Sequence, residues 1–196
     1  ISNYATKTPL LSSDLLNKEI SSNIFIKAEN LQKIGAFKFR GAMNSILKLD
    51  DDKKNVLAWS SGNHAQAIAS ACYLTNKNAT IVMPEDSPNA KLNGTKSWGA
   101  NIVTFDRYSE SREEIGTNLA KEINAEIIPP FDHPDVINGQ GTVGYEIIND
   151  CKNNNLVPDL VLCCCGGGGL IAGVSTAIKA EYSNVPIYAV EPENYN

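Results

Sequence analysis

Ala36-Phe37-Lys38-Phe39-Arg40-Gly41 stands at a strand-to-helix junction. Before it come the apolar run Ile24-Phe25-Ile26-Lys27-Ala28-Glu29 and the turn Asn30-Leu31-Gln32-Lys33-Ile34-Gly35. A lysine between two phenylalanines at such a junction is partly withdrawn from water. Desolvation penalises the ammonium form and makes the neutral amine more accessible. A neutral amine forms a Schiff base with an aldehyde. The plainer reading is a lysine at the start of an amphipathic helix, its stem lying on apolar neighbours. On this stretch alone both readings stand.

Outward from this junction, short apolar runs alternate with longer helical patterns. The strand candidates are Ile24–Ala28, Val56–Trp59, Thr80–Met83, Ile102–Phe105, Glu126–Ile128, Leu160–Cys164 and Ile187–Val190. Between them lie helical candidates at Phe39–Leu49, His64–Leu74, Ala90–Trp98, Ser111–Ile123, Thr142–Lys152 and Leu170–Tyr182. That rhythm is α/β, with a mostly parallel sheet and helices on its faces. Turn signals at Pro129-Pro130 and Asp132-His133-Pro134 separate a middle block from a final one. There is no internal repeat, and no initiator Met, so the chain reads as a piece of a longer protein.

Composition narrows the functional classes. The 196 residues are 42% hydrophobic and 20% charged, with a net charge of -5. No basic run argues for nucleic acid or an anionic membrane, and no apolar run reaches membrane-spanning length. Five cysteines, three of them consecutive at Cys163, Cys164 and Cys165, read as reduced thiols of a cytoplasmic protein. Successive strand side chains face opposite ways, so these three cannot share one metal and are expected to be small buried hydrophobes.

Two further motifs follow strand candidates directly. Ser60-Ser61-Gly62-Asn63-His64-Ala65-Gln66 opens a helix, where free N–H groups and the dipole attract an anion. Two hydroxyls, an amide and those donors suit a carboxylate, or a ring oxygen that gathers charge. The simpler alternative is an N-cap, with Ser61 or Asn63 closing the helix and Gly62 easing the turn. Gly166-Gly167-Gly168-Gly169-Leu170 opens another helix, and bare backbones there expose donors to a phosphate. Gly167-x-Gly169-x-x-Ala172 also satisfies a dinucleotide fingerprint, with Glu191 placed to bind a ribose. Against that rival, such a fingerprint opens its domain, and at least five strand candidates precede this one.

Taken together, the three motifs resemble the fold-type II pyridoxal-phosphate enzymes, the tryptophan synthase beta-like group. Within it they are similar to the serine racemase and serine/threonine (hydroxyaspartate) dehydratase branch. The similarity runs from Thr8-Pro9-Leu10 to Glu191-Pro192 and includes Ile81-Val82-Met83-Pro84 and Gly139-Gln140-Gly141-Thr142. It is strongest from Asp106-Arg107-Tyr108 through Pro129-Pro130-Phe131-Asp132-His133-Pro134-Asp135-Val136. The resemblance implies two open, twisted, mostly parallel α/β domains. Residues 55–132 would form a small domain inserted into a large one made of 1–54 and 133–196. The large domain would lack its C-terminal part, including the pyridine-nitrogen partner and the last metal carboxylate.

The same resemblance assigns roles. Lys38 would be the Schiff-base lysine and the base on one face of Cα, and Ser61 would face Cα from the other side. Phe37 would lie against the cofactor ring, Asn63 would bond its 3′-oxygen, and Gly166, Gly167, Gly168, Gly169 and Leu170 would cradle the phosphate. Ser60, Ser61, Asn63 and His64 would hold the substrate. A divalent cation (Mg, Ca or Mn) would sit on Glu191, with the Tyr195 carbonyl as a second ligand. An ATP effector would meet Ser13, Lys33, Gln66 and Trp98 at a homodimer interface. The implied activity is serine racemisation with dehydration to pyruvate and ammonia alongside. The alternatives are a threonine, serine or 3-hydroxyaspartate ammonia-lyase, and a catalytically dead fragment that binds cofactor at most. Ser61, where threonine dehydratases commonly carry Ala, leans slightly toward the racemase, since hydroxyaspartate dehydratases also carry Ser there.

Overall fold

The computed structural model describes residues 1–194. Its centre is a four-stranded, all-parallel sheet in the order β5-β4-β3-β6, formed by Asn101–Phe105, Asn78–Pro84, Asn55–Trp59 and Ala125–Ile127. Val56-Leu57-Ala58 and Ala79 through Pro84 are unbroken buried runs, as a parallel sheet covered on both faces requires. Alternation divides their side chains. Val56, Ala58, Ile81 and Met83 pack in one cluster with Phe39, Ala42, Met43 and Ile46 of α2 (Lys38–Leu47) and Ile68 of α3 (Asn63–Leu74). Leu57, Val82 and Phe105 pack on the other face with Ala120 of α5 (Arg112–Glu122). Helix α4 (Asn89–Lys96) links β4 to β5.

A second unit follows. Helix α6 (Pro134–Asn153) packs on α2 and on α7 (Gly169–Glu181), and α7 joins the parallel pair β7 (Val161–Cys164) and β8 (Ile187–Val190). At the α2–α6 crossing the two backbones nearly touch. A Cβ on Gly139 would stand 2.5 Å from the Arg40 carbonyl oxygen and from the Gly41 Cα, so only glycine fits. No helix among the described residues is long and apolar enough to cross a membrane.

The sequence pattern locates most of these elements within a residue or two, with three differences. Strand β2 (Phe25–Lys27) is shorter than expected and pairs antiparallel with β1 (Leu10–Ser12), outside any parallel sheet. Neither β1 nor the helix α1 (Asp14–Ile20) was foreseen, because α1 buries no side chain and so has no apolar stripe. Helix α6 starts at Pro134 rather than Thr142. Asp132-His133-Pro134 is a helix start rather than a stop: His133 caps it by accepting from the Asp135 amide, and Pro134 occupies the first turn, where its missing N–H costs nothing. The cysteines also depart from expectation. Cys163 is buried, Cys164 exposed and Cys165 half-buried, following the strand's alternation.

Beneath α2 lies an ionic network that local sequence patterns do not announce. The Arg40 guanidinium, 1% exposed, bonds both carboxylate oxygens of Glu29 and both of Glu146 at 2.7–2.9 Å. Lys27 completes it, with Nζ 2.8 Å from Glu146 and 3.2 Å from Asp150. Burial opposes the charges, yet the hydrogen bonds outweigh it. They hold Arg40 above its usual pKa, and Arg40 and Lys27 hold Glu146 below the usual carboxylate value. The network ties the segment after β2 to α2 and α6, two residues from Lys38.

Candidate active site

Lys38 is the first residue of α2, and its amine turns back to donate to the Pro130 carbonyl. The Phe37 ring centre lies 5.4 Å from Nζ and that of Phe131 6.0 Å away. Burial lowers the pKa of the amine, as the sequence reading requires. The flanking rings are not the pair expected from adjacency. Phe39 is fully buried in the core under the Lys33 ammonium, and Phe131 takes its place.

Lys38 faces the glycine run across one cavity of about 280 Å³, lined by Phe37, Lys38, Phe131, Cys164, Cys165, Gly166 through Gly169, Leu170 and Ile171. Gly168 caps α7 at φ +79°, a conformation that favours glycine. A Cβ on Gly167 would overlap the Phe131 ring at 2.3 Å. Among the described residues, no amide from Gly166 to Leu170 donates to a backbone carbonyl. These donors at the positive end of a 13-residue helix form a cradle for an anion. A second cavity of similar volume, between α6 and α7, has no Lys, Arg, Asp, Glu or His on its wall.

The turn after β3 (Ser60–Asn63) is built differently from the cap alternative. Gly62 is the N-cap residue, and no side chain caps the helix. The Ser60 hydroxyl accepts from the Gly62 amide at 3.2 Å; Ser60 and Ser61 are half-buried and Asn63 is exposed. The Asn63 and His64 amides donate to no backbone carbonyl among the described residues. Ser60, Ser61 and Asn63 do not line the cavity that holds Lys38.

His64 stands apart from Ser60, Ser61 and Asn63 in its burial. Its ring is buried, with Nε2 2.9 Å from the Ile128 carbonyl oxygen, so Nε2 carries the proton. Nδ1 is left as a bare acceptor without a partner. Burial above all, with the Lys38 charge adding to it, lowers the pKa to about 4 and keeps the ring neutral. Such a side chain repels a carboxylate, which leaves the His64 backbone amide as the group able to hold one.

The remaining expected residues are scattered. Glu191 is exposed just after β8; the Cys165 thiol donates to the Gly166 carbonyl at 3.6 Å, and its pKa is raised by desolvation and by the Glu191 charge. Among the described residues no three His, Cys, Asp or Glu side chains gather to hold a metal. The donor set for a divalent cation is thus not assembled there, and Tyr195 lies outside the described residues. Ser13 caps α1, Lys33 lies over Phe39, Gln66 packs at Gly94, and Trp98 meets Tyr73 edge-on at 5.8 Å. None of these contacts joins Ser13 or Lys33 to Gln66 or Trp98. The residues missed by sequence reading are Pro130 and Phe131. Their signal was position: an aromatic after two prolines at the carboxyl end of a parallel strand, where α/β sites form.

The family described as "Pyridoxal-phosphate dependent enzyme" matches residues 1–196. The chain is 48% identical over 198 residues to an L-threo-3-hydroxyaspartate ammonia-lyase of Saccharomyces cerevisiae, covering 100% of this chain and 60% of that protein. It is 42% identical over 198 residues to a serine racemase of Schizosaccharomyces pombe, with the same coverages. A solved structure of maize serine racemase superposes with a TM-score of 0.93 at 39% identity, covering 98% of this chain and 58% of that one. The chain thus spans about 60% of the length of the curated relatives it matches. The likeness to the racemase structure agrees with the fold-type II α/β arrangement, and the dinucleotide reading of the glycine run falls away. A lysine amine of lowered pKa facing a glycine cradle across one cavity is what this match explains, and the chain belongs to the pyridoxal-phosphate dependent enzymes.

Proposed function

We propose that the whole protein acts at Cα of a 3-hydroxy amino acid, with pyridoxal phosphate held between Lys38 and Gly166–Gly169. The carrying observation is that the Lys38 amine, its pKa lowered by burial, shares one cavity with the glycine run, whose amides donate to no backbone carbonyl among the described residues. These residues fit the cofactor. The α7 amides suit a phosphate, Gly167 lies too close to the Phe131 ring to carry a Cβ, and Phe37 and Phe131 offer apolar walls to a flat ring. When bound, the cofactor supplies an electron sink for charge left at Cα.

The chain's own groups do the rest. Lys38 is a base that burial makes ready to take the Cα proton. The free Asn63 and His64 amides at the positive end of α3 hold the substrate carboxylate, with Ser60 and Asn63 beside them. Residues 55–132 act as a small domain that closes over the cavity and excludes water. Loss of the β-hydroxyl after proton removal needs Lys38 on one face only, which makes ammonia-lyase chemistry the reading the geometry supports best. Serine racemisation is the second reading. It rests on Ser61, half-buried in the turn before α3, whose hydroxyl would return a proton from the other face once the small domain has closed.

The test is made on the full-length protein with added pyridoxal phosphate. L-serine, L-threonine and L-threo-3-hydroxyaspartate are assayed for 2-oxo acid and ammonia, and L-serine also for D-serine by chiral chromatography. Lys38→Ala is expected to abolish every activity and the visible absorbance of the bound cofactor. Wild-type protein that takes up no cofactor, or a Lys38→Ala variant that keeps turnover, refutes the proposal.

A further inference from the structure

The four residues Ile128–Phe131, leaving β6, touch all three motifs. The Ile128 amide donates to Leu57 at 3.0 Å, continuing the sheet past β6. The Ile128 carbonyl accepts from His64 Nε2 at 2.9 Å. The Pro130 carbonyl accepts from the Lys38 amine. The Phe131 ring lies 6.0 Å from that amine and occupies the space beside Gly167, while its Cβ stands 3.1 Å from a Cβ built on Gly169. Between the two carbonyls stand Pro129 and Pro130, whose rings restrict φ and the residue before each. A segment this stiff passes a displacement at Ile128 on to Phe131.

His64 is a costly way merely to fill core volume. Its Nδ1 is buried without a partner, and an apolar ring would avoid that penalty. What an apolar ring lacks is the Nε2–H donor. We propose that Ile128–Phe131 is the positioning element of the site and that His64 is its tether. By holding the Ile128 carbonyl, the imidazole sets where the Pro130 carbonyl and the Phe131 ring meet Lys38 and the glycine run. His64 is thus a positioning residue, acting on Lys38 through this segment rather than by touching substrate with its ring. Burial keeps the ring neutral, and the Nε2–H that holds the Ile128 carbonyl is present in that form.

The test compares His64→Phe, which keeps an aromatic ring without a donor, with His64→Gln, which restores an N–H. Lys38 is acetylated with a limiting amount of acetic anhydride at fixed pH in cofactor-free, full-length protein. Its labelling relative to exposed Lys18 is read by peptide mass spectrometry, beside a melting curve. His64→Phe is expected to label several-fold faster at Lys38, and His64→Gln to return close to wild type. In a second arm resting on the proposed function, pyridoxal phosphate affinity falls by about tenfold in His64→Phe, the worth of one hydrogen bond. Lys38 labelling at the wild-type rate in a folded His64→Phe overturns the tether, even with a lowered melting temperature. So does a His64→Gln variant as fast as His64→Phe. If His64→Phe does not fold, Phe131→Leu reads the far end of the segment: faster Lys38 labelling supports the proposal and an unchanged rate overturns it. The labelling arm uses no cofactor, so wild type that fails to bind pyridoxal phosphate refutes the proposed function and leaves this inference standing.

Discussion

Replacing Arg40 with methionine removes the cation from the most buried ionic cluster among the described residues and roughly keeps its volume. Four N–H···O contacts of 2.7–2.9 Å to Glu29 and Glu146 are lost. The two carboxylates are not abandoned entirely. Lys27 remains 2.8 Å from Glu146, and the Thr8 hydroxyl still donates to Glu29 at 2.5 Å. Breaking a buried pair by removing one partner costs about 3–5 kcal/mol, and the residual partners place Arg40→Met near 4 kcal/mol at neutral pH. With a urea slope of roughly 2–3 kcal/mol/M, the unfolding midpoint drops by about 1.5 M. The loss depends on pH with a definite sign. In the wild type Glu146 sits below its ordinary 4.5, so its ionised form contributes stability above that pH, lost as pH falls through the lower folded value. Without Arg40, burial raises the Glu146 pKa, and protonation relieves the unpaired charge. The gap between wild type and variant therefore narrows as pH falls toward 4. Adding Glu29→Gln and Glu146→Gln recovers most of the loss at neutral pH. Urea unfolding followed by circular dichroism at pH 7 and pH 4.5 measures all of this. A loss below about 1 kcal/mol, or a gap that does not change with pH, refutes the argument that charge compensation holds α2 in place.

Gly139→Ala drives a Cβ into the backbone of Arg40 and Gly41, where no side chain can yield, and is expected to cost upward of about 2 kcal/mol in a melting or urea experiment. Lys7→Ala leaves the melting temperature unchanged, because Lys7 is 59% exposed in its pair with Asp150, whereas Lys27→Met lowers it by several degrees because Lys27 is 6% exposed. If the full-length protein racemises serine, Ser61→Ala reduces L-to-D conversion by about 10²–10⁴-fold, the range of a lost general acid, while pyruvate formation from L-serine survives within about tenfold. Equal loss of both activities in that variant shows that Ser61 only positions the substrate.

The central sheet was legible because burial on both faces writes itself as unbroken apolar runs, as in Val56-Leu57-Ala58 and Thr80 through Met83. Helix α1 was illegible for the converse reason: it buries nothing, so its composition has no periodic stripe. Pro134 misled because the same residue that stops a helix from within is welcome in its first turn. At the candidate site, the Lys38 stretch alone left two readings open and the glycine run had a dinucleotide rival; only the motifs taken together singled them out as candidates. What the His64 ring bonds was not readable, because its tautomer depends on which atom faces Nε2.

What the amino-acid order determined by itself was therefore the α/β alternation and the two candidate motifs, Lys38 and the glycine run, that the fold brings to one cavity. These depend on residue type and on neighbours within a few positions. What the tertiary structure decided was which groups meet. The Lys38 amine reaches a carbonyl 92 residues away, Arg40 finds its carboxylate 106 residues away, and His64 bonds a carbonyl 64 residues away. Such partners are chosen by how helices cross and strands align, and the lack of room for a Cβ at Gly139 marks how closely one such pair of helices crosses. No local pattern encodes that geometry, because the free energy of a buried charge or an orphaned nitrogen depends on the atoms that surround it in space.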